Sequence, residues 1–96
     1  MLSSKQRAYL RGKANRMDSI LQVGKDRINE GVVEQADEAL TARELIKGNV
    51  LDNSLMSAKE AAYELAEAVN ADVVQVIGNK FVIYRRNPEE PIYNLP

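Results

Sequence analysis

The 96-residue sequence contains neither cysteine nor histidine. Without cysteine there is no disulfide framework and no thiolate nucleophile. Without histidine the commonest general base at neutral pH and the commonest metal ligand are both missing. No apolar run approaches the roughly 18 residues of a membrane span. The first thirteen residues, MLSSKQRAYLRGK, are charged throughout and lack the apolar centre of a signal peptide. The P-loop, the dinucleotide fingerprint and the nucleophile elbow are absent as well. Tyr9, Tyr63, Tyr84 and Tyr93 are scattered over different elements and read as rim-of-core residues. The expectation is a cytoplasmic protein that works by binding, with no catalytic residues, no metal, no cofactor, no small-molecule substrate and no membrane association.

Apolar residues make up 45% of the chain and charged residues 28%, an ordinary globular balance. A chain this short supports one domain and one modest core. The net charge is −1, yet the charges are segregated. Residues 1–27 carry seven cations and two acids, residues 28–72 carry three cations and ten acids, and the remainder carries three cations and two acids. A chain so divided can turn a basic surface to a polyanion while its acidic middle faces away.

Seven elements are legible. A first helix is expected from Ser4 to Arg16, with Leu10, Ala14 and Met17 as a narrow apolar stripe. Ser19 to Val23 has the composition of a short strand. Asn29 is a good N-cap for a second helix, Glu30 to Ala42, with Val32, Ala36, Ala39, Leu40 and Arg43 on its buried stripe. Glu44 to Leu51 is a second strand, in which Gly48 marks a bulge or a close backbone approach. Ser57 and Glu60 form a capping box for a third helix that ends near Asn70. The run DVVQVIGNKFVIYRR is a hairpin turning at Gly78-Asn79. The order α-β-α-β-α-β-β predicts an α/β, two-layer α+β domain over residues 1–86 with a four-stranded mixed sheet. Residues 87–96 form a tail with three prolines, an extended strap or a disordered end.

The turn Gly24-Lys25-Asp26-Arg27 lies between a strand and a helix N-terminus. A glycine there lets backbone approach a phosphate, and the helix dipole favours an anion. Lys25 and Arg27 add charge at the same place, and Lys5, Arg7, Arg11, Lys13 and Arg16 add more if the first helix packs nearby. The plainer reading is a simple loop and a solvated helix face. No aromatic pair of the kind used by sheet-face RNA readers is evident, which argues against stacking. A different class of function, a protein-interaction module, is suggested by Glu34, Asp37, Glu38, Glu60, Glu64 and Glu67, an acidic surface suited to docking on a basic protein.

Taken together, KQRAYLRGKAN, ILQVGKDRINEGVVEQADEALTARELIKGNVL and VVQVIGNKFVIYR resemble the CRM domain (chloroplast RNA splicing and ribosome maturation) in its stand-alone bacterial YhbY-type form. The resemblance covers nearly the whole chain. It implies a fold similar to the C-terminal domain of bacterial translation initiation factor three. It implies RNA binding through a G-x-x-G loop and neighbouring basic surface, and association with ribosomal RNA in precursors of the large (50S) subunit. A monomer is expected. In the loop the family pattern is Gly-Lys-x-Gly, and here the fourth residue is Arg27. Either that position never needs positive φ and a guanidinium replaces backbone approach, or backbone contact is lost and the first helix dominates. The first alternative predicts negative φ at Arg27 and a side chain in solvent beside Lys25.

Overall fold

The computed structural model describes residues 2–96. Ser3 caps the first helix: its Oγ accepts the Gln6 N–H at 3.1 Å, and Gln6 Oε1 accepts the Ser3 N–H at 3.0 Å. Helix α1 (Ser4–Ala14) ends two residues before the expected Arg16. Strand β1 (Ser19–Val23) follows, then helix α2 (Glu30–Arg43), capped by Asn29 Oδ1 on the Val32 N–H. Strand β2 (Leu45–Val50) leads to helix α3 (Ala58–Val69), whose Ser57–Glu60 capping box is formed. Asn70 closes α3 in the left-handed conformation that asparagine tolerates. Strands β3 (Asp72–Ile77) and β4 (Lys80–Tyr84) make the hairpin, with Gly78 at φ +59°.

The strands lie in the order β1-β2-β4-β3, with β1 parallel to β2 and both β2–β4 and β3–β4 antiparallel. This is the mixed four-stranded sheet expected from the α-β-α-β-α-β-β order. Helices α2 and α3 cover one face, burying Leu21, Val23, Ile46, Phe81 and Ile83 against Leu40, Ala62 and Leu65. To these two layers the structure adds a third. Leu10 and Ala14 of α1 pack on Leu45, Val74, Val82 and Tyr84 on the opposite face, joined by Tyr93 and Leu95 from the tail.

Gly48 pairs with Leu21 at the edge of a register irregularity in β1, between Ser19 and Leu21, so a bulge in the neighbouring strand faces the Lys47–Gly48 step; a second irregularity lies in β3, between Val73 and Gln75. Gly48 pairs with Phe81, and the Phe81 ring lies so close that a Cβ would sit 2.5 Å from its Cζ. Both alternatives therefore meet at Gly48, the irregularity in the neighbouring strand and the close approach of Phe81.

Two residues depart from expectation at the end of α2. Arg43, expected on the buried stripe, is exposed. Glu44, expected to begin β2, is the C-cap of α2 at φ +64° and is fully buried. Its carboxylate accepts the backbone N–H groups of Asn87 at 2.6 Å, Ile92 at 2.8 Å and Tyr93 at 3.1 Å. Its carbonyl accepts the Arg85 N–H at 2.9 Å. The proline-rich tail is thus an extended strap, and its last carbonyl accepts a bond from Gln6 Nε2. Arg85 ties the helical layer together by donating to the Asp37 carboxylate, the Asp37 carbonyl, Thr41 Oγ1 and the Val69 carbonyl.

Candidate nucleic-acid interface

One end of the sheet gathers the turn after β1, the segment after β2 and the β3–β4 hairpin turn. Leu51 N–H donates to the Val23 carbonyl at 2.8 Å, and Val50 N–H donates to the Asn79 carbonyl at 2.8 Å. The Gly24–Arg27 turn projects from this end. Its defining bond runs from the Arg27 N–H to the Gly24 carbonyl at 3.1 Å, the i to i+3 bond of a β-turn. Lys25, Asp26 and Arg27 are all exposed. Among the described residues the Lys25 and Asp26 amides donate to no other backbone group, so two adjacent N–H groups stand free between two cationic side chains. Asp26 is the opposing feature, a carboxylate in the middle of a turn otherwise suited to an anion.

The expected negative φ at Arg27 is wrong: Arg27 sits at φ +60°. Arg27 is the fourth residue of the turn, a position where type I turns favour glycine. The site therefore keeps the backbone that a glycine would serve and imposes it on a residue with a Cβ. Glycine is not needed for φ at Gly24, which lies outside the left-handed region, and an added Cβ there would meet Asn53 and Leu51 at 3.6 Å, an ordinary contact. The exposed Arg27 side chain does match expectation; among the described residues the single ion pair is Arg85–Asp37. Arg27 lies near the start of α3. The Glu60 carboxyl there is held below its ordinary value, chiefly by its hydrogen bonds with Ser57 and to a lesser degree by Arg27.

This strain makes a prediction. Arg27→Gly should raise stability by about 0.5–1.5 kcal/mol, the left-handed penalty less the greater unfolded-state freedom of glycine. Arg27→Ala keeps the Cβ and should give no such gain. Thermal denaturation of the two variants beside the parent decides the matter; equal midpoints for all three would mean that the backbone at Arg27 carries no strain.

The N-terminus of α2 offers an anion less than its dipole suggests. Asn29 Oδ1 already satisfies one of its end amides, the Val32 N–H, and Glu30 stands in the first turn.

Helix α1 lies across β3, β4 and β2 rather than beside the turn. Near its start, Lys5 is exposed, while Arg7 is half-buried and donates Nε to the Val73 carbonyl at 3.3 Å. Arg11 is exposed one turn further on. At the other end, Lys13 stands 5.3 Å from the Tyr9 ring centroid and Arg16 is exposed in the following turn. Between the end of α1 and the Gly24–Arg27 turn lies open sheet bearing Lys47 and Lys80, which line one groove with Asn15. Sequence reasoning missed both lysines. Each is a single cation in a strand, and only the folded strand order brings them together.

The family model for the CRS1 / YhbY (CRM) domain matches residues 2–85. The chain is 41% identical over 96 residues, all of both chains, to "Probable RNA-binding protein YqeI" of Bacillus subtilis (strain 168). It is 31% identical over 91 residues to an "RNA-binding protein" of Haemophilus influenzae, covering 95% of this chain and 92% of that one. Its fold matches the solution structure of the hypothetical protein SAV1595 from Staphylococcus aureus with a TM-score of 0.84 and 47% identity over the full length of both. By the extent of the family match and by these relatives, the chain belongs to the CRS1/YhbY (CRM) domain family.

Proposed function

We propose that this protein binds RNA, holding backbone phosphates at the Gly24–Arg27 turn and along the basic residues of α1. Its setting is ribosomal RNA during assembly of the large subunit, and it acts by binding rather than by catalysis. The observation that carries the reading is the turn itself: two free amides flanked by Lys25 and Arg27, projecting at the end of the sheet. Family membership and the RNA-binding names of the relatives support it; the ribosomal setting rests on the resemblance set out above. The acidic surface is a weaker basis for protein docking, because Asp37 is engaged by Arg85 and Glu60 by Ser57.

Lys25→Ala, Arg27→Ala and Arg11→Ala should each weaken binding to all RNAs alike. Each should flatten the plot of log K against log salt by about 0.7–0.9 per lost phosphate contact. Unchanged affinity and slope in all three would remove the phosphate-holding assignment. Gly24→Ala is a useful companion. Its Cβ fits the fold, so a loss of affinity without loss of stability would report close approach of backbone to phosphate. Pull-down with and without nuclease, with the bound RNA sequenced, tests the ribosomal setting; partners that survive digestion would favour a protein-docking module.

A further inference from the structure

The part of the sheet that α1 and the strap leave uncovered carries a second array of side chains. Leu45 of β2 packs under α1, so Lys47 and Asn49 share its face. Val82 and Tyr84 of β4 pack there too, so Lys80 shares that face. In β1, Leu21 and Val23 are buried against the other helices, so Gln22 points to the open side. The register sets Gln22 beside Asn49, Asn49 beside Lys80, and Lys80 beside Ile77. A row of two amides, an ammonium and an isoleucine therefore crosses all four strands. Ile77 in that row is 65% exposed. One step toward α1, Lys47, Val82 and Gln75 form a second row, and Asn15 at the end of α1 closes the groove. Neither row contains an acidic residue.

We infer that this open face holds bases of single-stranded RNA, continuing the strand whose phosphates the Gly24–Arg27 turn takes. The inference rests on the RNA-binding reading and adds to it a second contact surface and a preference for unpaired RNA. Gln22 lies two residues before Gly24, so the row begins beside the start of the turn. Three strand spacings of about 4.8 Å make the row roughly 14 Å wide, and four-stranded sheets in known RNA readers carry about two or three bases. The chemistry differs from those readers. No aromatic side chain stands in either row, so base faces have no stacking platform. Amides of Gln22, Asn49 and Gln75 can instead donate to and accept from base edges, while Lys47 and Lys80 meet phosphates and Ile77 offers apolar contact. Watson–Crick edges are free only when the strand is unpaired; in an A-form duplex pairing occupies them, and the deep, narrow major groove keeps side chains from the Hoogsteen edges. A protein partner fits less well, since interface cores are depleted in lysine and Ile77 is the single exposed apolar side chain in the two rows.

The test is titration of fluorescent homopolymer oligoribonucleotides and a matched duplex against the full chain. The native protein should bind the unpaired oligomers more tightly than the duplex. Lys80→Gln and Lys47→Gln should each lower the salt slope for single strands by about 0.7. Gln75→Ala should change the ratio of Kd among homopolymers by about fivefold or more, the low end for a bidentate amide–base contact, without changing the salt slope. Lys80 is exposed, so its variant keeps the test valid if Lys47→Gln is unstable. If these variants bind as the native protein does while Lys25→Ala and Arg27→Ala are weakened, the sheet-face inference is overturned and the RNA-binding reading stands. If the native protein binds none of the RNAs, the RNA-binding reading falls, and this inference with it. If the variants lose a nuclease-resistant protein partner and keep full RNA affinity, the face is a protein dock and the inference is likewise overturned.

Discussion

Glu44→Ala is expected to destabilise the fold by about 2–4 kcal/mol and to free the C-terminal strap. Three backbone amides from the strap converge on this one buried carboxylate. Hydrogen bonds to a charged acceptor contribute about 1.5–3 kcal/mol each. The full sum is not lost, because an untethered strap can move out and let its amides bind water. What remains is the strap's own packing, Tyr93 and Leu95 on the core beneath α1, and the bond from Gln6 to the last carbonyl. Glu44→Gln should be intermediate. It can keep an oxygen toward Ile92 and Tyr93, but it turns an NH2 group toward the Asn87 N–H, setting donor against donor. For a domain of this size each kcal/mol moves the melting temperature by about 4–8 °C. Amide hydrogen exchange should show Ile92 and Tyr93 losing protection ahead of the sheet. Tyrosine titration gives a separate readout. Burial, and secondarily the Glu44 charge, hold the Tyr84 and Tyr93 phenols above their ordinary value, so both should titrate lower in Glu44→Ala. Since these folded-state values are raised, the stability tied to them is present below about pH 10 and is lost as pH rises above it. A Glu44→Ala protein with native melting temperature and native strap protection would show that the carboxylate does not hold the tail.

Where a local signal exists, the sequence is readable. Asn29, the Ser57–Glu60 box and the Gly78-Asn79 turn each satisfy backbone groups within three or four residues, and all three form as expected. The same logic would have found the Ser3–Gln6 box, an S-x-x-Q pattern in plain view. Glu44 shows the limit. An acid at a helix-to-strand junction looks solvated, and its partners lie 43 to 49 residues further along the chain. Nothing near Glu44 announces them. The side on which α1 packs is similarly unreadable, because Leu10 and Ala14 require a sheet face without specifying which one.

The candidate site divides along the same line. The Gly24–Arg27 turn stands out because a strand, a glycine, two cations and a helix cap follow one another within a dozen residues. Its backbone at Arg27 is not legible from the Cβ penalty alone. The fourth position of such a turn is one where glycine is favoured, and the rest of the fold can outweigh a penalty of about 1–2 kcal/mol for a residue with a Cβ. Lys47 and Lys80 are not legible as a pair in the sequence, because their meeting depends on β4 inserting between β2 and β3. That order is a property of the whole sheet and leaves no mark on either strand alone.

Gly48→Ala shows how a single methyl can matter when its surroundings are full. The Phe81 ring crosses the Cα of its cross-strand partner, and the added Cβ would come within 2.5 Å of Cζ, 2.9 Å of Cε1 and 3.1 Å of Cε2. A flexible surface side chain could step aside. Phe81 is 1% exposed and is packed among the side chains beneath α2 and α3, so the ring can move only by displacing them or by pushing β2 and β4 apart. Overpacking of this kind costs about 1–3 kcal/mol, against which alanine's advantage over glycine within a strand returns about 0.5–1 kcal/mol. A net loss of about 1–2 kcal/mol follows, read as a drop of several degrees in melting temperature. A double-mutant cycle isolates the cause. Phe81→Leu alone should destabilise by leaving space over Gly48, and Gly48→Ala should then cost less in the Phe81→Leu background, because its methyl enters that space. The coupling should be of the order of 1 kcal/mol, as for residues in direct contact. Strict additivity of the two changes would mean that the ring is not what keeps position 48 a glycine. Both strands also carry residues of the open face, Lys47 and Asn49 on β2 and Lys80 on β4. A strain that separates the pair in Gly48→Ala should therefore weaken RNA binding as well as stability, whereas the Glu44 variants, which release a strap at the other end of the sheet, should leave RNA affinity near the native value.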